Sequence, residues 1–93
     1  MKQDKITIEK IEKYKNLTTK ALAIAKDSIA KSRDKEAKEI ILIVECYLSD
    51  ALHFQKKEDY VNSFACLNYA HGWLDSGARL KIFNVSDNNL FTV

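Results

Sequence analysis

Apolar side chains recur every three or four residues along almost the whole chain, which is the spacing of one face of an α-helix. Two short polar segments interrupt the pattern, residues 31–34 and residues 55–58. There is no proline and there are only two glycines, so the sequence lacks most of the residues that form hairpins and tight turns. The pattern therefore predicts an all-α fold, a three-helix up-down-up bundle with helices at about residues 8–31, 35–56 and 60–82.

The length and the end of the chain complete this prediction. Ninety-three residues are enough for a single domain, residues 1–93, with one hydrophobic core. Residues 84–89, NVSDNN, are turn-forming, and the apolar segment LFTV (residues 90–93) follows them. An exposed terminus has no need for such residues, so we expect this C-terminal tail to fold back onto the bundle.

The third predicted helix is apolar over more of its circumference than a surface helix requires. At about 100° per residue, one apolar side collects Tyr60, Phe64, Leu67, Ala70, Leu74 and Ala78. A second apolar side collects Cys66, Tyr69, Trp73 and Leu80. The first two helices can cover one side, and a monomer seldom leaves Trp, Tyr and Leu exposed together. We therefore expect either the C-terminal tail or a second copy of the chain to cover the second side.

A narrow polar stripe on the same helix is the candidate binding site, formed by Asn68, His71, Asp75 and Arg79. His71 and Asp75 are four residues apart, so the carboxylate could orient the imidazole, as acid–base and metal sites require. The stripe could therefore bind a small ligand or support weak catalysis. The competing interpretation is a solvated or interhelical hydrogen-bond ladder.

No metal or cofactor is predicted, because one histidine and one aspartate do not make a metal site. The other histidine, His53, would lie roughly 12 Å from His71 along an antiparallel hairpin, at ~1.5 Å per residue. Nor is an enzyme predicted: there is no G-x-S-x-G motif, no cysteine with a signature for a paired histidine and no glycine-rich phosphate loop.

The two cysteines and the apolar runs predict a cytoplasmic protein. Cys46 and Cys66 match no metal motif and have apolar neighbours, so we expect two buried free thiols in a reducing compartment. The first residues lack the apolar core of a signal peptide, and the longest apolar run, Ile40–Val44, is far too short to span a membrane.

The charge is unevenly distributed along the chain. Residues 1–38 carry eleven basic and six acidic side chains, whereas residues 39–93 carry four and seven. The basic face of the first helix, with Lys10, Lys13 and Lys20, therefore makes nucleic-acid binding a third possibility. Acidic residues are interleaved with the lysines, which favours an ordinary solvated face.

Each glycine falls inside the third predicted helix, where glycine costs about 1 kcal/mol relative to alanine. Ala65, Gly72 and Ser76 fall along one line, which predicts a small-residue groove where another helix approaches closely. Gly77 could instead mark a bend or fraying before Arg79.

One segment resembles two known helical families. YLSDALHFQKKEDYVNSFACLNYA (residues 47–70) resembles a single tetratricopeptide-type hairpin and, with its long helices, the HEPN superfamily. HEPN ribonucleases carry an Arg followed closely by His, and neither Arg33 nor Arg79 is followed in that way.

A closer resemblance covers nearly the whole chain. ITIEKIEKYKNLTTKAL near the start, YAHGWLDSGARL (residues 69–80) and the terminal LFTV resemble an archaeal family designated domain of unknown function 357. The resemblance implies a short, all-helical, up-and-down bundle from an archaeal cytoplasm, and it brings no activity, substrate or catalytic residue. Lys81 stands where the family pattern suggests a small residue such as glycine, which would let the third helix run further.

Together these observations predict a non-enzymatic protein-interaction or homodimerisation module. Its contact surface would be the second apolar side of the third helix.

Overall fold

The computed structural model describes residues 5–91 and contains three α-helices joined by short turns. The helices are α1 (Ile8–Lys26), α2 (Asp34–Lys56) and α3 (Tyr60–Arg79). The all-α, up-down-up bundle predicted from the sequence is confirmed. The second helix has the predicted bounds to within one residue, whereas α1 and α3 end earlier than predicted.

Helix α3 occupies the centre of the fold and packs against both of the other helices. It runs antiparallel to α2 and parallel to α1, while α1 and α2 touch each other less. Lys26 of α1 and Glu45 of α2 form an ion pair of 2.9 Å across that contact. The Cα trace extends over 43 × 28 × 15 Å, so the bundle is flat.

The hydrophobic core lies where the three helices and the C-terminal tail meet. The first apolar side of α3 faces this core, as the sequence predicted, through Ala70, Leu74 and Ala78, while Leu67 is buried in a smaller cluster with Ile11 and Ala51. Phe83 and Phe91 are buried in the same core, and Leu90 packs against it. The predicted return of the tail is therefore confirmed as far as Phe91, and Thr92 and Val93 lie outside the described residues.

Helix α1 ends at Lys26, not at residue 31, because the next residues pair with a distant part of the chain. Ile29 and Phe83 form an antiparallel bridge. The amide of Ala30 donates to the carbonyl of Ile82 (2.9 Å), and the amide of Asn84 donates to the carbonyl of Ser28 (2.6 Å). Ile29 keeps the helical spacing of the apolar series but packs against the core from this bridge.

Helix α3 ends at Arg79 in a Schellman motif, and Lys81 occupies its left-handed position with φ 64°. The amide of Ile82 donates to Gly77 O (2.9 Å), and that of Lys81 donates to Ala78 O (3.1 Å). The expectation that Lys81 would let the helix continue is therefore wrong: the backbone turns there even without glycine.

Replacing Lys81 with glycine is expected to raise the free energy of unfolding by about 0.5–1 kcal/mol, because glycine enters the left-handed region without the clash of a Cβ atom. Lys81→Ala is the matched control, since it removes the charge and keeps the Cβ. Urea denaturation of both variants measures the difference, and equal stabilities for Gly and Ala would contradict this explanation.

The two glycines have the reverse of their predicted environments. A Cβ atom on Gly72 would meet nothing within 4 Å, so no helix approaches there within the described part of the chain. A Cβ on Gly77 would lie 2.5 and 2.6 Å from two ring carbons of Phe83 and 3.2 Å from Ile40 Cδ1. The glycine that permits close packing is Gly77, which lies in the last turn of α3.

The expectation of two buried thiols is also wrong. Both cysteines are free, but Cys46 is exposed on α2 and Cys66 is only partly buried. Helix α2 buries the side that contains Ala37, Val44 and Ala51. Cys46 is two residues from Val44, about 200° around the helix, and therefore faces solvent.

Candidate functional site

The second apolar side of α3 is open to solvent in the described structure. Tyr69 is 62% exposed, Trp73 40% and Leu80 63%. Tyr47 of α2 extends this surface, because its ring stacks on that of Tyr69 with centroids 5.5 Å apart and an interplanar angle of 21°. We refer to Tyr47, Tyr69, Trp73 and Leu80 as the aromatic face.

The α2–α3 hairpin sets the position of Tyr47. Helix α2 also ends in a Schellman motif, in which Glu58 has φ 61° and the amide of Asp59 donates to Phe54 O (2.9 Å). Tyr47 and Tyr69 are each eleven residues from Glu58, so they face one another across the antiparallel pair. Tyr47 was not among the residues predicted for this surface, although counting outwards from the turn identifies it as the neighbour of Tyr69.

Cys66 lies at the margin of the aromatic face and does not form its centre. Its side chain packs against the small core cluster of Ile11, Ala51 and Leu67. Burial raises the pKa of the Cys66 thiol, and the nearby carboxylate of Asp50 raises it further. The raised pKa favours the protonated, less nucleophilic form of this thiol at neutral pH.

The tail lies away from the aromatic face as far as Phe91. The carbonyl of Leu90 accepts a hydrogen bond from the ring of His71. His71 lies about 200° around α3 from Trp73, so this contact is on the opposite side of the helix. Of the two covers predicted for the second apolar side, the described tail is not the one that covers Trp73.

Two shallow grooves follow α3 along its exposed surface. One, of about 290 Å³, is lined by Asn68, Tyr69, Gly72, Trp73 and Ser76. The other, of about 300 Å³, is lined by Asp75, Ser76, Arg79 and Leu80. Ser76 belongs to both, and its hydroxyl donates to the carbonyl of Gly72 (2.9 Å).

His71 connects three elements of the fold. Its Nε2 lies 2.7 Å from Leu90 O, and its Nδ1 lies 3.1 Å from the hydroxyl of Thr18 on α1. A carbonyl oxygen can only accept, so Nε2 carries a proton, and in the neutral ring Nδ1 accepts from Thr18. Asp75 Oδ1 lies 3.7 Å from the same Nε2. Both ring nitrogens thus have partners within the fold.

The structure spreads the predicted polar stripe over two surfaces. His71 and Asp75 are half-buried, whereas Asn68 and Arg79 are exposed. A groove of about 320 Å³ runs past the stripe between α1, α3 and the tail, with Tyr14, Asn68, His71, Asp75 and Asn89 in its lining. Arg79 lines the second exposed groove instead.

The described residues contain no group of three or more His, Cys, Asp or Glu side chains that could hold a metal ion. Within the same range, no helix has the length and apolar character needed to cross a membrane.

An acidic side chain lies among the basic side chains of α1. Lys13 and Lys20 are exposed, but Lys10 lies 5.1 Å from the centre of the Phe64 ring. Hydrogen bonds from the Gln55 amide and the Lys15 ammonium group lower the pKa of Glu12, so this carboxylate keeps a negative charge among the lysines.

Comparison with known proteins places the chain in a family. The model of the family described as "Protein of unknown function (DUF357)" matches residues 13–83. The chain belongs to the DUF357 family. In this DUF357 protein the match extends from the first turns of α1 to Phe83, so it includes the whole aromatic face and both glycines. No curated protein and no solved structure matches the chain.

Proposed function

We propose that this DUF357 protein is a non-enzymatic protein-interaction module that binds through its aromatic face. The observation that carries the proposal is the exposure of Tyr69, Trp73 and Leu80 together on one helix. Interfaces are enriched in tyrosine and tryptophan, and these residues account for much of the binding energy in the interfaces that contain them.

The aromatic face is ordered before any partner binds. Tyr47 and Tyr69 hold one another in a stack, and each belongs to a regular helix. Aromatic side chains have few rotatable bonds, so little conformational entropy is lost when a partner covers them. The surface is thus suited to binding without rearrangement.

Photocrosslinking in cells of the native host tests this function. With p-benzoylphenylalanine in place of Trp73, we expect crosslinks to a protein, whether a second copy or another chain. The control position is Leu42, which is 59% exposed and lies about 140° around α2 from Tyr47. Equal crosslinking from residues 73 and 42, or none from either, would refute the proposal.

A second candidate function is small-ligand binding or weak catalysis at Asn68, His71, Asp75 and Arg79, and it stays a prediction. The groove of about 320 Å³ beside His71 supports it. The engagement of both ring nitrogens favours a structural role for His71. NMR shifts confined to this groove on addition of a small-molecule library would support ligand binding, and their absence would argue against it.

Nucleic-acid binding through α1 is the third candidate. Its support is limited to the exposed lysines, with Glu12 interrupting them. A gel shift that is unchanged by replacing Lys10, Lys13 and Lys20 would exclude it.

We also propose a reducing cytoplasm as the location. The supporting observation is Cys46, a free thiol at an exposed position, where an oxidising compartment would favour disulfide formation.

A further inference from the structure

We propose that Trp73 and Leu80 of the aromatic face are covered by a second copy of this chain, in an antiparallel two-fold contact between the two α3 helices centred between Ser76 and Gly77. The inference rests on the proposed function and names its partner. The contact would be isologous: both copies use the same surface, so every contact between two different residues occurs twice, once in each direction.

The two exposed grooves of α3 are arranged as such a contact requires. Trp73 borders the groove on one side of Ser76, and Leu80 borders the groove on the other side. A two-fold axis between residues 76 and 77 brings Trp73 of each copy against Leu80 of the other. Each indole then enters the groove lined by Ser76, Arg79 and Leu80, whose volume of about 300 Å³ is large enough to hold it.

The helices can approach closely along this line. No atom within 4 Å would meet a Cβ on Gly72, so its surface is unused by the chain's own packing. The hydroxyl of Ser76 is already bonded to Gly72 O, so covering it leaves no unsatisfied polar group. Close backbone approach at small residues lets the larger side chains on either side interdigitate.

The charges of this surface favour a copy of the same chain over a strongly charged partner. The grooves are lined by one acidic side chain, Asp75, and one basic side chain, Arg79. The same two-fold axis brings Arg79 of one copy towards Asp75 of the other, which makes two opposite-charge contacts and no like-charge contact. Asp75 keeps His71 as a neighbour in this arrangement, with Oδ1 3.7 Å from Nε2.

The size of the surface predicts a weak dimer. A standard interface covers about 800 Å² on each partner, which is about an eighth of this protein's 6451 Å². Because α3 ends at Arg79, an axis between residues 76 and 77 lets the two helices overlap only from about residue 74 to residue 79. That overlap is roughly 9 Å long at ~1.5 Å per residue and provides much less than the standard area. We therefore expect dissociation in the micromolar range.

Sedimentation velocity of the full chain across that range is the first test. We expect a concentration-dependent dimer and an increase of the dissociation constant of about 30-fold or more for Trp73→Ala, as for an interface hot spot. Leu42→Ala is the matched control, because it removes an apolar side chain from α2 that is more exposed than Trp73 (59% against 40%). A dimer weakened by Leu42→Ala and not by Trp73→Ala would overturn the proposal.

Disulfide trapping tests the two-fold axis itself. In a Cys46→Ser, Cys66→Ala background, Ser76→Cys places one thiol of each copy next to the axis, and mild oxidation should give a covalent dimer. Lys20→Cys, on the exposed face of α1, should remain monomeric. Circular dichroism confirms that each variant is folded.

The homodimer and the protein-interaction module can be refuted separately. A monomer at every concentration without Ser76→Cys trapping overturns the homodimer, and crosslinks from residue 73 to another protein would then still support the interaction module. No sedimenting dimer, no trapping and no crosslink would overturn both.

Discussion

Phe83→Ala is expected to lower the free energy of unfolding by about 3–5 kcal/mol, the range for a fully buried phenylalanine. Phe83 is 1% exposed and is among the largest fully buried side chains of the described structure. Its ring fills the space beside Gly77, and its backbone forms the bridge with Ile29. Removing the ring therefore weakens α3 and the connection that follows α1 at the same time.

Urea denaturation followed by circular dichroism measures this loss. Because small domains are stable by only about 5–15 kcal/mol, Phe83→Leu serves as a milder variant, with an expected loss of about 1–2 kcal/mol. Val61→Ala is the control on α3, since Val61 is exposed. Its effect should stay within about 0.5 kcal/mol. A loss for Phe83→Ala no larger than this control would contradict the assigned packing.

The second large effect is that alanine substitutions at the two glycines should change the free energy of unfolding in opposite directions. Gly77→Ala should lower the free energy of unfolding by about 2–3 kcal/mol, because the new methyl group overlaps the ring of Phe83. Gly72→Ala should raise it by about 1 kcal/mol, because its site is open and alanine is the better helix former. Each substitution is the control for the other, since both add one methyl group to α3.

A double mutant identifies the cause. If the overlap with Phe83 destabilises Gly77→Ala, the loss should shrink in a Phe83→Leu background, where the smaller side chain leaves room. An unchanged loss would mean that another contact, such as Ile40, limits the space. Stabilisation by both glycine substitutions would contradict the close approach at Gly77.

The local pattern of the sequence predicted the helices well and failed where distant segments decide the structure. The apolar periodicity identified all three helices and the core side of α3, because helical spacing is a property of neighbouring residues. Ile29 continues that spacing, yet its segment pairs with Phe83, more than fifty residues away. Local spacing contains no information about that pairing.

Two further errors have different physical causes. Lys81 has a positive φ, which residues with a Cβ atom disfavour. The hydrogen bonds to the carbonyls of Gly77 and Ala78 must therefore outweigh the cost of this conformation. The sequence predicted the close approach at Gly72, and only the reversal of the chain after α3, which returns Phe83 to the helix, identifies Gly77 as the closely packed glycine.

The candidate site was predictable in part. Angular positions placed Tyr69, Trp73 and Leu80 on one side of α3 and His71 on another, and the structure has that arrangement. The sequence could not choose between the tail and a second copy as the cover, because the path of the tail depends on where Phe91 finds space in the core. The partners of His71, Thr18 and the carbonyl of Leu90, follow from the same packing.

The flatness of the bundle bears on what such a molecule can do. A backbone only 15 Å deep in its thinnest direction leaves little interior beyond one layer of packed side chains. Sites that act on small molecules usually surround most of their ligand, and such a pocket needs protein walls on several sides. A flat three-helix bundle can therefore bury more surface against a macromolecule that packs on one of its faces than around a small molecule.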